Sequence, residues 1–387
     1  MKIAIWHNIL WSRYKAVVFS SVYRQAQATN IKVNFYQIAE TDTNRTSLSP
    51  VDQSWHQYPF TLLFKGASSE IPALKLMWKA AKLTWRDPAD VTILAGYERP
   101  VVWIQALVLS LRGRPFALFC DSTLFDQPQT FWKGIAKRII FNWASGIFSY
   151  GIRAKEYVNY YGVPSSRSFI RCQAAALPRE YSAQLALEER ITSADIDSPP
   201  RFLYVGRLST EKSLDHLILA FKQALGSNPR AHLVIVGKGP SEPQLRKLVA
   251  ELGIQEQVLF EGSKFDSELF NEYSKATCLV LPSHGEPWGL VVNEALSYGC
   301  PVIVSHRCGC VPELVVEGKT GFSFEWGNVA QLAERMNAAP AAFADIANTA
   351  RACLDHIARF NPDLAGRSIL DGCKAIQNAR LTRKLKD

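Results

Sequence analysis

The sequence lacks the cysteine spacing of a disulfide scaffold or a zinc site. Its eight cysteines form no Cys-x-x-Cys pair, and one close pair, Cys308 and Cys310, stands alone. This usage fits a reducing compartment, so we expect a cytoplasmic protein without a bound metal.

Long hydrophobic runs, internal repeats and low-complexity segments are also missing. The longest apolar stretch, Pro100 to Leu111, is bounded by arginines and is too short to cross a bilayer. Any membrane contact is therefore expected to be peripheral. The 387 residues, 48% hydrophobic and 20% charged, exceed what one hydrophobic core usually serves and predict two well-packed domains.

Acidic residues are scarce in the first half of the chain. Residues 1–200 carry 23 Lys and Arg against 15 Asp and Glu, whereas residues 201–387 carry 21 against 20. The first half also holds eight of the ten tryptophans. A basic, Trp-rich surface suits a phosphate-bearing partner at an anionic membrane face, although ordinary solubility charge explains the same surplus.

One segment gives the membrane hypothesis a location. In the pattern from Phe131 to Trp143, Lys133, Lys137 and Arg138 lie close together beside apolar residues. We expect a helix that either contacts the inner face of the membrane or packs on the core with a solvated basic face.

Short apolar runs alternate with helical patterns from Arg201 onward, as in βαβ units that build a parallel sheet. The predicted strands are Phe202–Gly206, His232–Gly237, Val258–Phe260, Cys278–Leu281, Pro301–Val304 and Gly321–Phe324. Between the first two, apolar residues recur at helical spacing and predict a helix over Lys212–Leu225.

The first half repeats this alternation less clearly. Its predicted strands are Lys2–Trp6, Ile31–Tyr36, Val91–Ala95, Pro115–Cys120, Gly146–Tyr150 and Ser168–Cys172. We therefore predict an α/β chain of two Rossmann-like domains. The expected boundaries are an N-terminal domain over 1–180, a polar linker over 181–200 that ends in two prolines, a C-terminal domain over 201–365, and a C-terminal helix or tail over 366–387 that could pack back on the N-terminal domain.

The richest chemical signal follows the predicted strand Cys278–Leu281. Glu286 falls in the loop that begins with Ser283, and Glu294 falls in the next helix. In open α/β sheets ligands bind beyond the carboxyl ends of the strands, and a carboxylate accepts hydrogen bonds from neighbouring sugar hydroxyls. Gly289 would let the backbone approach a ligand. For Glu294 alone, a first-turn glutamate that complements the helix dipole is the simpler explanation.

Two further loops follow strands of the same predicted sheet. Gly206, Arg207 and Lys212 surround the start of a helix, where two cations and a close backbone suit a diphosphate. Gly237 and Lys238 end the next strand. Each loop alone is weak evidence, but together they line one edge of one sheet.

Residues 201–326 resemble the donor-binding domain of family 4 glycosyltransferases, which are retaining enzymes of the glycosyltransferase B fold. The matching pieces are VGRL with the following EK, VIVGKGP, LFEG, LVLPSHGEPWGLVVNEALSYGCPVI and ELVVEGKTGF. The resemblance implies two domains that face each other across a cleft, with a nucleotide-sugar donor bound to the C-terminal domain and the acceptor on the N-terminal side. Trp288 replaces the commoner Phe of this family.

The resemblance also assigns roles to residues. Glu286 would contact the donor sugar, Glu294 the ribose hydroxyls, and Arg207 with Lys212 the diphosphate. Amide groups around Pro287, Trp288, Gly289 and Leu290 would contact the sugar or the phosphate. The base is expected near Gly237 and the segment from Phe265 to Leu269.

The first half resembles the family far less. Its first loop lacks the usual glycine pair, and the family's histidine after a middle strand is replaced by Cys120 and Asp121. Asp121 is our candidate for that position, although an aspartate that caps the next segment is an equal alternative. His7 and Glu98, which also follow predicted strands, are weaker candidates for acceptor contacts.

The reaction implied by the resemblance is retaining transfer of a hexose-type sugar to a saccharide or lipid-linked acceptor, without a metal or another cofactor, in polysaccharide or glycolipid synthesis. Asp195 and Asp197 have the Asp-x-Asp spacing of metal-dependent transferases, but they stand in the linker, so we interpret them as linker charge. Two alternatives stay open: an epimerase or hydrolase of the same fold acting on a nucleotide sugar, and a non-catalytic protein that binds one. No nucleic-acid partner is expected.

Overall fold

The computed structural model describes residues 1–43, 51–126, 130–170, 173–193 and 198–384. The backbone forms two compact units. The first unit comprises the described residues of 1–124, 128–176 and 361–387, and the second those of 125–127 and 177–360. Asp195 and Asp197 lie outside the described residues.

The first unit is built on a parallel sheet of seven strands. These are β1 (Lys2–Ile9), β2 (Lys32–Ala39), β3 (Phe60–Leu62), β4 (Val91–Leu94), β5 (Phe116–Cys120), β6 (Gly146–Ser149) and β7 (Ser168–Ile170). Their order is β3-β2-β1-β4-β5-β6-β7, and all pairs are parallel. Strands β4, β5 and β6 are buried along their whole length, which explains their near-continuous apolar sequences.

Five helices connect these strands: α1 (Arg13–Ala28), α2 (Ala73–Arg86), α3 (Pro100–Leu111), α4 (Phe131–Trp143) and α5 (Ile152–Tyr160). Helices α2 to α5 share one hydrophobic cluster with the sheet, through residues such as Leu76, Val102, Phe141 and Tyr157. Helix α1 packs in a second cluster that uses the alternate side chains of the strands, such as Ile3. The sheet is therefore covered on both faces, as in doubly wound folds.

The second unit repeats this plan with six strands. These are β8 (Arg201–Val205), β9 (His232–Val236), β10 (Val258–Gly262), β11 (Cys278–Leu281), β12 (Val302–Ser305) and β13 (Gly321–Phe324). All pairs are parallel, and the order β10-β9-β8-β11-β12-β13 reverses between β8 and β11. Such a reversal creates a crevice at the carboxyl ends of the two strands, where ligands bind in open α/β sheets.

Its helices are α6 (Ala183–Thr192), α7 (Leu214–Ala224), α8 (Glu242–Glu251), α9 (Asp266–Lys275), α10 (Leu290–Ser297), α11 (Val311–Leu314), α12 (Val329–Ala342) and α13 (Ile346–Ile357). The last helix, α14 (Pro362–Lys384), belongs to the first unit and packs on α1, where the Ser21 hydroxyl donates to Asp363 at 2.5 Å. The prediction of two Rossmann-like α/β domains is confirmed.

The stretch expected to be a linker is partly helical. Within 181–200, residues Ala183–Thr192 form α6, and the Ser182 hydroxyl caps it by accepting from the Leu185 amide. The buried Arg190 guanidinium donates to the carbonyls of Ser274 and Ala276, near the end of α9, at 2.8 and 2.5 Å. Residues 183–192 therefore belong to the second unit, where Ala186 and Arg190 are buried while Glu188 and Glu189 stay exposed.

Three local predictions were also wrong. The helix expected to begin at Lys212 begins at Leu214, because Ser213 has a left-handed backbone with φ of 51°. His7 lies inside β1 rather than after it, since the strand continues to Ile9. Lys137 is only 6% exposed, and its ammonium group lies over the rings of Tyr157 and Tyr161 at 5.3 and 5.6 Å, so it is not on a solvated basic face.

Candidate active site

The predicted site residues of the second half gather at one edge of the second sheet. Gly206 and Arg207 follow β8, Gly237 and Lys238 follow β9, and Glu286 follows β11. Strand β8 lies between β9 and β11, so the three loops are neighbours at the carboxyl edge, on both sides of the point where the strand order reverses.

An ion pair joins the two sides of this point. The Lys212 ammonium group, carried by the loop after β8, donates to a carboxylate oxygen of Glu286 in the loop after β11. Their side chains are 19% and 20% exposed. A backbone hydrogen bond from the His284 amide to the Glu211 carbonyl, 2.9 Å long, joins the same two loops. The pair leaves a cation and a carboxylate side by side at the carboxyl edge of the second sheet.

The loops after β8 and β9 lie in direct backbone contact. The Leu208 amide donates to the Lys238 carbonyl at 3.0 Å, and a Cβ on Gly237 would lie 1.9 Å from the Gly206 carbonyl oxygen. Only glycine fits at position 237, where φ is also 136°. This contact fixes the backbone around Arg207, while the Arg207 and Lys238 side chains remain exposed.

Tyr204 supports the same loop from below. It is buried in β8, and its hydroxyl donates to the Arg207 carbonyl at 2.9 Å. Burial first, and then the charges of Glu286 and Glu211, raise the pKa of Tyr204 well above its ordinary value. The hydroxyl therefore stays protonated and continues to hold the Arg207 backbone.

The loop that carries Glu286 is held by the loop after β12. The Gly309 amide donates to the Glu286 carbonyl at 2.8 Å, and the Cys310 amide to the Trp288 carbonyl at 3.1 Å. Trp288 is 2% exposed, and its indole N–H donates to the Asn293 amide oxygen at 2.7 Å. Trp288 thus anchors the loop with its ring and can offer a ligand only its backbone.

Helix α10 starts at Leu290, directly after this loop. Pro287 is partly exposed, and Gly289, with φ of 104°, immediately precedes the helix. The first amides of a helix have no intrahelical acceptor and point outward from the helix start. This turn can therefore bind an anionic group or a hydroxyl.

Glu294 lies one turn into α10 and is held by a tyrosine from α9. The buried Tyr273 hydroxyl donates to a Glu294 carboxylate oxygen at 2.9 Å. Burial raises the pKa of Glu294 to about 7, and the hydrogen bond from Tyr273 opposes that rise. Glu294 is a partly shielded acceptor whose charge changes near neutral pH.

Phe265 and Leu269 lie at the start of α9. Phe265 precedes the first residue of the helix and is 49% exposed, and Leu269 is partly exposed. The Gly237 amide donates to the Gly262 carbonyl at 2.6 Å, so the loop after β9 is joined to the end of β10, just before this segment. The two apolar side chains stand near the edge where a flat base is expected.

Of the three candidate acceptor-side residues in the first half, two are exposed and one is packed inside the unit. Asp121 is exposed directly after β5, and Glu98 is exposed just before α3. His7 is 9% exposed, its ring Nδ1 lies 3.3 Å from the Gln37 side-chain oxygen, and its ring stands edge-on to Phe19 at 5.6 Å. Asp121 and Glu98 can therefore meet a ligand at the carboxyl edge of the first sheet, whereas His7 is packed inside the unit.

Sequence reasoning missed the residues that hold the site together. Tyr273 lies in a helix whose pattern shows nothing unusual, and only its position beside Glu294 gives it a role. Gly309 was detectable in principle, since it follows a buried strand in the segment HRCGC, the usual place for a glycine that lets another backbone approach.

In the described parts of the chain, no three His, Cys, Asp or Glu side chains are grouped so that they could hold a metal ion. None of the described helices is long and apolar enough to cross a membrane.

A large part of the second half is similar to known proteins. Residues 188–340 match the family model described as glycosyl transferases group 1. The sulfoquinovosyl transferase SQD2 of Arabidopsis thaliana is 34% identical over 155 residues, which are 39% of this chain and 28% of that protein. The matched part of the chain thus spans only about a third of the length of such curated relatives.

Solved structures extend the likeness to the whole chain at the level of fold. The Anabaena protein Alr3699/HepE, solved in complex with UDP, has a TM-score of 0.73 at 18% identity and covers 97% of this chain and 100% of that one. The lipopolysaccharide outer core galactosyltransferase WaaB has a TM-score of 0.72 at 18% identity and covers 97% and 99%. Both units therefore have the glycosyltransferase B fold.

Proposed function

We propose that the protein moves a hexose-type sugar from a nucleotide-diphosphate sugar to a saccharide or lipid-linked acceptor, with retention and without a metal. The match of residues 188–340 to the glycosyl transferases group 1 model supports this proposal. The observation that carries this proposal is the Lys212–Glu286 pair at the point of strand reversal, beside the exposed Arg207. The group-transfer site is thereby assigned to the edge formed by β9, β8 and β11.

The proposed donor lies along that edge. Its diphosphate binds Arg207, Lys212 and the first amides of α10, which together supply two cations and a helix start. Its ribose hydroxyls donate to Glu294, and its base lies against Phe265 and Leu269. Complexes of the Anabaena neighbour with UDP and with UDP-glucose support a uridine nucleotide as the first donor to test.

The proposed reaction breaks the bond between the anomeric carbon and the diphosphate oxygen. The acceptor oxygen attacks from the side on which the diphosphate leaves, and the acceptor proton passes to the departing phosphate oxygen. Arg207 and Lys212 stabilise the charge that develops on the diphosphate, and no metal is required for this role. Glu286 orients the sugar once Lys212 has turned to the phosphates.

For the acceptor we propose the carboxyl edge of the first sheet, where Asp121 and Glu98 are exposed. The lipopolysaccharide galactosyltransferase among the structural neighbours supports a saccharide on a lipid carrier as the acceptor class. A role in surface polysaccharide or glycolipid synthesis follows from that class.

The deciding experiment measures donor binding by thermal shift with a panel of nucleotide sugars, and then transfer to an acceptor extract. A bound donor raises the melting temperature because it binds only the folded state. Arg207→Ala should lower transfer by about 100-fold or more, because it removes a charge that stabilises the leaving group. Glu294→Ala should remove the thermal shift with the fold intact.

Arg351→Ala is the matched control, since Arg351 is exposed on α13 of the same unit. It should bind and transfer as the parent protein does. Turnover of Arg207→Ala or Glu294→Ala at the parent rate would refute the assignment. Donor incubated alone gives the remaining outcomes: freed sugar would indicate a hydrolase, altered sugar an epimerase, and tight binding without any reaction a non-catalytic binder.

A further inference from the structure

We propose that the outer faces of α2, α3 and α4 form a docking surface for an anionic lipid bilayer. Ten of the nineteen exposed large hydrophobic side chains among the described residues lie on these three helices. They are Leu74, Trp78, Trp85, Leu107, Leu111, Phe131, Trp132, Ile135, Ile139 and Trp143. Scattered apolar residues need no explanation, but such a concentration on one part of a surface does.

The three helices cover one face of the first sheet. Helix α2 leads from β3 to β4, α3 from β4 to β5, and α4 from β5 to β6, and all three pack on the same face of the first sheet. Helices α2 and α3 are in direct contact. We call the outer surface of these three helices the α2–α4 face.

The exposed residues follow helical spacing. On α2, Leu74, Trp78 and Trp85 lie four and eleven positions apart along one stripe, with Leu74 and Trp78 exposed by 78% and 64%. On α4, Trp132 and Ile139 lie on one stripe, with exposures of 79% and 53%. A helix on the surface of a globular protein usually has polar residues on its outer face. These apolar stripes therefore indicate contact with an apolar phase.

The charge on the α2–α4 face has one sign. The three helices contain no Asp or Glu, while Lys75, Lys82, Arg86, Lys133 and Arg138 are exposed on them. The Lys82 ammonium group lies 4.7 Å from the centre of the Trp78 ring. Surfaces that lie in a bilayer interface combine tryptophan rings, which sit at the level of the lipid headgroups, with cations that reach the lipid phosphates. The α2–α4 face has both.

A second copy of the chain fits this face poorly. In a two-fold dimer the same patch meets itself, so the lysines and arginines of one copy would oppose those of the other without any acidic partner on these helices. An anionic bilayer satisfies the apolar stripes and the charges together. The α2–α4 face belongs to the first unit and the proposed donor site to the second, so membrane docking is expected whatever sugar is transferred.

The test is co-sedimentation of the full chain with vesicles of phosphatidylcholine alone and of phosphatidylcholine with about 30% phosphatidylglycerol, the acidic lipid that supplies the surface charge. The protein should bind the acidic vesicles in preference, and less at high salt. Trp78→Ser combined with Trp132→Ser should weaken binding about tenfold, because two interfacial rings are lost. Lys82→Gln should weaken it about fivefold through one lost charge.

The matched control is Leu185→Ser with Ile191→Ser, which removes two side chains on α6 that are 55% and 41% exposed. This variant should bind vesicles as the parent does. Equal binding to both vesicle types, parent-like binding by the double tryptophan variant, or a vesicle-free dimer that the tryptophan variant abolishes would overturn the proposal. The thermal shift caused by the donor is measured on the same variants. It reports on the proposed donor site alone, so a failure of the membrane proposal can be told apart from a failure of the proposed function.

Discussion

Lys212 and Glu286 are paired although 74 positions separate them in the sequence. The pair spans the point at which the strand order of the second sheet reverses. The proposed function gives each member a ligand contact of its own, the diphosphate for Lys212 and the sugar for Glu286. The pair is therefore broken or shared when the donor binds, and its two members should respond differently to donor fragments.

Glu286→Gln should separate these two roles. The variant should lose transfer, but it should bind the nucleoside diphosphate without its sugar about two- to fivefold more tightly, because the partly shielded carboxylate no longer competes for Lys212. Lys212→Met should weaken binding of the same diphosphate. Calorimetric titration of both variants checks this, and equal losses of diphosphate affinity would contradict it.

Donor affinity should depend on pH through Glu294. Its carboxyl has a pKa of about 7, raised by burial, so it is largely protonated at pH 6 and ionised at pH 8. Because ribose hydroxyls need an acceptor, affinity for a nucleotide-diphosphate sugar should be full near pH 8, half of that near pH 7, and fall at lower pH by up to about tenfold per pH unit. Calorimetric titration across that range gives the profile.

Glu294→Gln is the control for this profile, which should become flat. The pKa of Glu294 in the folded protein lies above its ordinary value, so its ionisation opposes folding as the pH rises through 7. The same variant should therefore gain melting temperature relative to the parent at pH 8 and not at pH 4. A pH dependence that survives in Glu294→Gln would assign the titration to another group.

Tyr273→Phe tests the hydrogen bond that holds Glu294. The Tyr273 hydroxyl stabilises the ionised carboxylate and lowers its pKa against the effect of burial. Without it the pKa of Glu294 rises, and the midpoint of the donor-affinity profile should move to higher pH. Parent and variant should converge at alkaline pH, where Glu294 is ionised in both. A uniform loss at every pH would instead indicate a purely steric role for Tyr273.

The strands of the second sheet could be predicted from sequence almost to the residue. The predicted Cys278–Leu281 coincides with β11, because a strand buried on both faces is a continuous apolar run bounded by turn residues. The predicted Gly321–Phe324 coincides with β13, a half-buried strand at the edge of the sheet. The edge strand Phe60–Leu62 was missed, since three half-exposed residues carry no detectable period. Helix α6 was missed because its charged sequence resembles a linker, although Ser182 followed by strong helix formers was a usable signal.

The loops of the site could be predicted, but their contacts could not. Topology alone brings the carboxyl ends of parallel strands to one edge of the sheet. The loops of Arg207, Gly237 and Glu286 could therefore be predicted to be neighbours from the sequence alone. Which side chains pair depends on packing between distant segments. The Lys212–Glu286 and Tyr273–Glu294 contacts carry no local signal, and burial of Lys137 between tyrosines runs against the usual behaviour of lysine.

Gly309→Ala should displace the loop that carries Glu286, although Gly309 lies in a different loop. A Cβ at Gly309 would lie 1.9 Å from the Pro287 carbonyl oxygen, so the loop that carries Glu286 must move away. We expect a loss of about 1–3 kcal/mol in the free energy of unfolding, as for overpacked sites, together with weaker donor binding.

The matched control is Gly134→Ala in α4, where the nearest atom to the new Cβ is a Tyr161 ring carbon at 3.7 Å. Because alanine favours a helix over glycine, this control should leave stability equal or slightly higher and donor binding unchanged. Chemical denaturation and donor titration of both variants decide the matter. If Gly309→Ala is as stable and binds donor as tightly as the parent, the loop after β12 does not position Glu286.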